Sequence, residues 1–257
     1  MDSDESANYT GRGEVYRKFR SGYSEKVIDL LLAYTGLSPI KDTVADIGAG
    51  TGIFSKQLAN RGYSVIAVEP NDDMRTNGRE YTVDKDNIKW RNGCAENSGL
   101  ENKSVDWVTM ASSFHWTKPE RSLPEFYRIL KDGGYVTLLW NPLVKDGDVI
   151  QEKIESIIQR NVSGFSRDFR NGENSREILL SSGYFDNVVE IRREHKRDMP
   201  VKDYLNAWRA ANHLRTTAEK VREGIFEDIL KEMEKCLGER EIIEVPYLTK
   251  AWTARKK

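Results

Sequence analysis

Asp46, Gly48, Gly50, Gly52 and Glu69 are the residues whose types and spacing best suit ligand chemistry. Glycines on alternate positions let the backbone turn sharply and let a ligand approach the main chain closely. A carboxylate such as Glu69, ending an apolar run, can accept both hydroxyl protons of a ribose. Together they describe a nucleoside-binding crevice. The plainer alternative is a tight strand-to-helix turn with no ligand, but acid, glycines and second acid all fall at strand ends.

The flanking sequence supplies the elements that must position them. Thr43-Val44-Ala45-Asp46-Ile47 and Val65-Ile66-Ala67-Val68-Glu69-Pro70 are short apolar runs on either side of a helical pattern from Ile53 to Asn60. That is the grammar of a βαβ unit, with the helix N-terminus aimed at the ligand and Gly62 just past the helix end. A dinucleotide site wants a third glycine where Ile53 stands, and here the glycine comes one residue earlier, at Gly52.

Asp46-Ile47-Gly48-Ala49-Gly50-Thr51-Gly52 followed by Glu69 resembles the first two motifs of the class I S-adenosylmethionine-dependent methyltransferases. Phe114-His115-Trp116, Leu130-Lys131-Asp132-Gly133-Gly134 and Trp140-Asn141 are similar to the type 11 small-molecule branch, so the resemblance covers residues 13 to 141. It implies an α/β fold with a Rossmann-like, mostly parallel sheet of about seven strands, an antiparallel C-terminal edge and a helical cap. It also implies S-adenosyl-L-methionine as cofactor. Asp46 would then take up the methionyl ammonium, directly or through water, beside Gly48, Ala49 and Gly50. Glu69 and Pro70 would meet the ribose. Met74 would pack on the adenine or simply fill core. Relatives often place an acid where Cys94 stands, so Ala95, with Glu96 or water, would have to read the base. Ser112, ending the fourth strand, completes the set. A Tyr-x-x-x-Arg-x-x-Tyr stretch in such enzymes folds over the cofactor. Here Tyr16 and Tyr23 would wall the methionine end, and Arg20 would pair with its carboxylate. The expected behaviour of Gly13 to Tyr23 is that of a lid, loose when empty and ordered when loaded; composition by itself suggests a solvated amphipathic helix.

Outside this core the chain is read as a single domain over residues 1–257. Residues 13–141 form the cofactor core with its N-terminal lid, 142–239 a mainly helical cap plus an edge strand, and 240–257 a closing strand. Ser24 is expected to cap a helix bearing Val27, Ile28, Leu31 and Leu32, and Asn71 or Asp72 another. Ile88 to Arg91 and Val105 to Met110 read as strands, and Pro119 as a helix start with Pro124 tolerable only in the first turn. Asp132-Gly133-Gly134 reads as a turn into a strand from Tyr135 to Trp140. Farther on, Val149, Ile150, Ile154, Ile157 and Ile158 mark an amphipathic helix, Ser175 to Leu180 another, and Val188 to Arg193 a strand. Pro200 to Asn212 reads as helical. Thr216 and Glu219 form a capping box for a helix with Val221, Ile225, Ile229, Met233 and Leu237, which Gly238 stops. Ile242 to Val245 and Leu248 to Ala254 close the sheet.

Lys and Arg number 40 against 41 Asp and Glu, a net charge of −1, so no global field draws the chain to nucleic acid or an anionic membrane. Cys94 and Cys236 match no metal spacing, which suits a reduced, cytoplasmic chain without a metal. The acidic start shows no signal peptide, and no apolar run reaches the ~20 residues of a membrane span.

Methyl transfer is an in-line displacement, so alignment and exclusion of water are the main demands, and a base can help an oxygen or nitrogen nucleophile. His115, just beyond the fourth strand, is the candidate base, or it packs between Phe114 and Trp116. His195 reads as part of a solvated strand face and His213 as a surface residue. The expected function is methyl transfer to a small-molecule nucleophile. Its rivals are a non-catalytic scaffold that kept the cofactor fold and, on weaker grounds, a nicotinamide-dependent oxidoreductase.

Overall fold

Parallel strands covered on both faces read as unbroken apolar runs, and Thr43–Ile47 is such a strand, buried at four successive positions. The computed structural model describes Gly13 and residues 20–162, 172–210 and 219–257, without the side chains of residues 209, 210 and 219. Helix α1 (Glu25–Thr35) leads into β1 (Thr43–Ile47), α2 (Ile53–Ala59), β2 (Ser64–Val68), α3 (Asp72–Tyr81) and β3 (Ile88–Arg91). Next come β4 (Val105–Ala111), a 3-10 turn (Phe114–Trp116), α4 (Pro119–Ile129) and β5 (Leu130–Trp140). The second half adds α5 (Val149–Asn161), α6 (Ser175–Ser181), β6 (Phe185–Pro200), α7 (Val201–Ala210), α8 (Glu219–Leu237) and β7 (Ile242–Lys256).

The seven-stranded sheet runs β3-β2-β1-β4-β5-β7-β6. The first five strands are parallel, and β7 pairs antiparallel with both β5 and β6. Strand order reverses at β1, so a crevice opens between the carboxyl ends of β1 and β4, where such sheets bind ligands. Helices α1 and α2 cover one face with Val27, Ile28, Leu31, Phe54 and Leu58. Leu123, Phe126 and Ile129 of α4 and Leu179 of α6 cover the other. This is the Rossmann-like architecture the motifs imply.

Several elements differ in detail. Pairing of β5 with β7 ends at Trp140 and Lys250, but β6 and β7 stay paired out to Pro200 and Ile242. The strands expected at Val188 to Arg193 and at the C-terminus are therefore halves of a long two-stranded ribbon. Its far end carries a separate apolar cluster: Met199, Ile243 and Val245 pack with Ile154, Ile158, Trp208, Ile225, Ile229 and Met233 of α5, α7 and α8. The expected turn at Asp132-Gly133-Gly134 is a bulge inside β5, because Val105 pairs with Leu130 and Trp107 with Tyr135. Pro124 sits beyond the first turn of α4 and is accommodated there. Ser24 occupies the α1 cap position without a side-chain cap bond, its own N–H going to Thr249 Oγ1 at 2.9 Å. Asn71 does cap α3, accepting from Met74 N at 3.0 Å. Val149 and Val221 are exposed at 61% and 44%, so the buried stripes of their helices begin later than read. Thr216 lies outside the described residues.

Trp90 of β3 fills the space between α2 and α3 and depends on a bare backbone there. A methyl group on Gly78 would lie 2.2 Å from Trp90 Cη2. Alanine is the better helix former by ~1 kcal/mol, but forcing atoms into a filled core costs ~1–3 kcal/mol. Gly78→Ala is therefore expected to lower stability in urea denaturation. A variant more stable than the parent would show that Trp90 has room to move.

Candidate functional site

The loop after β1 is built to expose its backbone. Gly48, Gly50 and Gly52 have φ of 67°, 57° and 76°. A side chain at Gly50 would be strained by that left-handed backbone, while its Cβ would meet Met74 Cε at 3.4 Å on the cavity side. Beneath the loop, Asp46 is wholly buried, accepting from Ser55 Oγ at 2.6 Å and Thr109 Oγ1 at 3.0 Å. Burial pushes its pKa up from 3.8 to about 6, against the pull of those two hydroxyls. Asp46 does not line the cavity, so of the two expected contacts with a ligand ammonium the direct one is not offered by this geometry. Its carboxylate ties β1 to α2 and β4 from below.

Glu69 ends β2 and faces the loop. Gly50 N donates to its Oε2 at 2.8 Å and Asn71 N to its Oε1 at 2.9 Å. Each oxygen thus spends one lone pair on the backbone and keeps another for a ligand hydroxyl. Burial pushes the Glu69 pKa above the ordinary carboxylate value, while the two N–H groups and the Arg75 charge pull it down.

These parts wall a cavity of about 210 Å3. Gly48, Ala49, Gly50, Glu69, Pro70, Met74, Ala95, Glu96, Ser112 and Arg20 all border it. Of the expected cofactor residues, Asp46 lies behind the wall and Tyr16 lies outside the described residues. Paired backbone bonds between Cys94 and Asn97 hold Ala95 in a tight turn. Glu96 Oε1 accepts from Lys118 N at 2.9 Å. Ser112 adopts φ 56°, unusual for a residue with a side chain, and accepts from Tyr23 OH at 2.8 Å. Tyr23 is buried against Phe54 and bonded through its backbone N–H and carbonyl to Gln57, so this end of the expected lid is anchored to the core.

His115 stands outside the lining. Its Nδ1 accepts from Trp140 Nε1 at 3.4 Å, and its ring lies against Trp116. In that state a neutral imidazole carries its proton on Nε2, offering a donor where a base would need a lone pair. His195, expected on a solvated face, is half-buried. Its Nε2 meets Asn141 Oδ1 at 2.9 Å and Thr249 Oγ1 at 3.1 Å, and its ring stacks on Tyr247. His213 lies outside the described residues.

The cavity also includes residues that the sequence reading did not single out as contacts. Thr51 is buried in the loop, and its hydroxyl has no partner among the described residues. An orphaned buried hydroxyl costs roughly 1–3 kcal/mol, which a ligand group can repay. Its place between Gly50 and Gly52 was the available signal. Cys94, Asn71, Ser113, Trp116 and Thr117 are further parts of the wall. Among the described residues no group of His, Cys, Asp and Glu could hold a metal ion. No helix among them is long and apolar enough to cross a membrane.

Residues 45–138 match the family described as a methyltransferase domain. Residues 45–138 thus carry a methyltransferase domain. An uncharacterized methyltransferase of Mycobacterium bovis is 30% identical over 165 residues, 59% of this chain and 65% of that relative. The chain spans just under two thirds of that relative's length. A solved protein of Anaeromyxobacter dehalogenans shares the fold at TM-score 0.63, with 19% identity over 92% of this chain and 98% of its own. Phosphoethanolamine N-methyltransferase 2 of Haemonchus contortus, solved with phosphomonomethylethanolamine and S-adenosylhomocysteine, shares it at TM-score 0.56. There the identity is 18%, over 99% of this chain and 59% of that one.

Proposed function

We propose that this protein transfers the methyl group of S-adenosylmethionine to an oxygen or nitrogen atom of a small molecule, as a single cytoplasmic domain with a helical cover. The observation that carries the reading is Glu69: its oxygens are aimed by Gly50 N and Asn71 N and each retains a lone pair toward the cavity. The donor set fits the cofactor elsewhere too. The open backbone at Gly50 and the Thr51 hydroxyl would receive its amino-acid end, with Arg20 for the carboxylate. Met74 and the turn at Ala95 would flank the adenine.

When bound, the cofactor supplies an activated methyl on a sulfonium whose charge is lost on transfer. The chain's own task is to align that group and exclude water, for which Tyr23, Ser112 and Trp116 of the cavity wall are placed. His115 reaches base function only with Nδ1 freed from Trp140 Nε1. A His115→Asn variant with an unchanged rate would remove it from the chemistry.

Turnover of methyl-labelled S-adenosylmethionine against a panel of small alcohols, acids and amines tests the activity. Label should appear in a small molecule. Tight cofactor binding with no turnover on any acceptor would leave a non-catalytic binding protein, and label entering protein or nucleic acid would replace the substrate class.

A further inference from the structure

One face of the ribbon of β6 and β7 lies beside a segment that walls the cofactor cavity. Arg193, His195 and Arg197 alternate along β6, opposite Thr249, Tyr247 and Val245 in register, and paired residues of antiparallel strands share a face. The segment from Arg20 to Ser24, which walls the cavity, lies against that face. Arg197 Nη1 donates to Arg20 O at 2.9 Å, Asn141 Nδ2 to Gly22 O at 3.1 Å, and Ser24 N to Thr249 Oγ1 at 2.9 Å.

Two groups in this corner are underused. Tyr247 is buried to all but 8%, its ring stacked on His195 at 5.7 Å, yet among the described residues its hydroxyl has no hydrogen-bond partner. Arg197 is half-buried and pairs with no carboxylate among the described residues; its one hydrogen bond there goes to a carbonyl. The phenol and the Arg197 guanidinium are both donors, and neither meets a carboxylate among the described residues. Arg20 adds a second guanidinium from the cavity side, and the charges of Arg20 and Arg197 both act on the Tyr247 phenol. His195 stacks its ring on that of Tyr247 and turns Nε2 to Asn141 and Thr249, and no hydrogen bond joins it to the phenol.

We propose that Arg197 and Tyr247 form a subsite for an anionic group of the methyl acceptor, a carboxylate or a phosphate, next to the Arg20 that serves the cofactor. A guanidinium fork matches either oxyanion, and a phenol donor adds a third direction. The subsite adjoins the cavity at Arg20, so an acid held there has the cavity beside it. The inference rests on the methyltransferase reading and narrows its substrates to small acids.

The test is calorimetric titration of inorganic phosphate, and separately of acetate, into the full chain loaded with S-adenosylhomocysteine. Saturable binding of at least one anion is expected, weakened at least tenfold by Arg197→Ala and several-fold by Tyr247→Phe. The Tyr247→Phe chain keeps its shape and serves as the second measurement should Arg197→Ala fold poorly. Cofactor affinity should change less than twofold in Tyr247→Phe. Absence of anion binding by the loaded protein overturns the subsite and leaves the methyltransferase reading standing. So does anion binding that the cofactor abolishes, which would assign the guanidiniums to the cofactor's own carboxylate. If S-adenosylhomocysteine itself fails to bind, the parent reading falls, and the same titration of the empty protein decides whether the anion site exists.

Discussion

Glu69→Ala is expected to weaken S-adenosylhomocysteine binding by roughly 30- to 1000-fold, or ~2–4 kcal/mol, by removing two charge-assisted hydrogen bonds to ribose. The carboxylate also orders Gly50 N and Asn71 N, so its loss loosens the glycine loop as well as the ribose contact. Glu69→Gln separates the two effects. The amide keeps the size and one acceptor oxygen but brings donors to a site of converging N–H groups, and its affinity should fall between those of parent and alanine variant. Calorimetry is the readout. Affinity within threefold of the parent in Glu69→Ala would place the nucleoside elsewhere.

Asp46→Asn is expected to change stability in a pH-dependent way that reports on burial. Asp46 has a folded pKa of about 6 against an ordinary 3.8. A carboxyl whose folded pKa is raised contributes stability that is fully present below pH ~4 and is lost as pH rises to ~6, in total about 3 kcal/mol. Asparagine removes that penalty, since it can accept from one of Ser55 and Thr109 and donate to the other. At pH 8 the variant should match or exceed the parent by up to ~3 kcal/mol, with no gain at pH 4. A stability difference that does not vary between those pH values would contradict the charge argument. Because Asp46 lies behind the cavity wall, cofactor affinity should fall far less than in Glu69→Ala. A loss of tenfold or more would restore direct contact with the ligand.

What the sequence showed clearly was local. The glycine loop, the strands ending at Ile47 and Val68, and Glu69 are specified within a few residues of one another, by side-chain type and spacing. The parallel core followed because buried strands and amphipathic helices leave periodic marks. Asp46 could not be placed from sequence, since a carboxylate beside a ligand loop looks the same whether it faces the cavity or the hydroxyls of Ser55 and Thr109 beneath it. His195 was read as a solvated strand residue and Tyr247 was not singled out, because Asn141 and the segment at Arg20 come near them only through the long-range pairing of β6 with β7. The bulge at Lys131 to Gly134 carries glycines like a turn, and only the register against β4 reveals a continuous strand. Tyr16, central to the expected lid, lies outside the described residues. Its companion Tyr23 is fixed by Gln57, Ser112 and Phe54, contacts no local pattern announces.

The central claim is that the crevice between β1 and β4 takes the nucleoside of S-adenosylmethionine and not a dinucleotide. Calorimetric titration of the purified chain with S-adenosylhomocysteine and, separately, with NAD tests it most directly. Micromolar-scale affinity for S-adenosylhomocysteine, roughly −8 kcal/mol, is expected, with negligible heat from NAD. The reverse preference would contradict the account at its root, since Glu69 and the glycine loop would then be serving a different ligand.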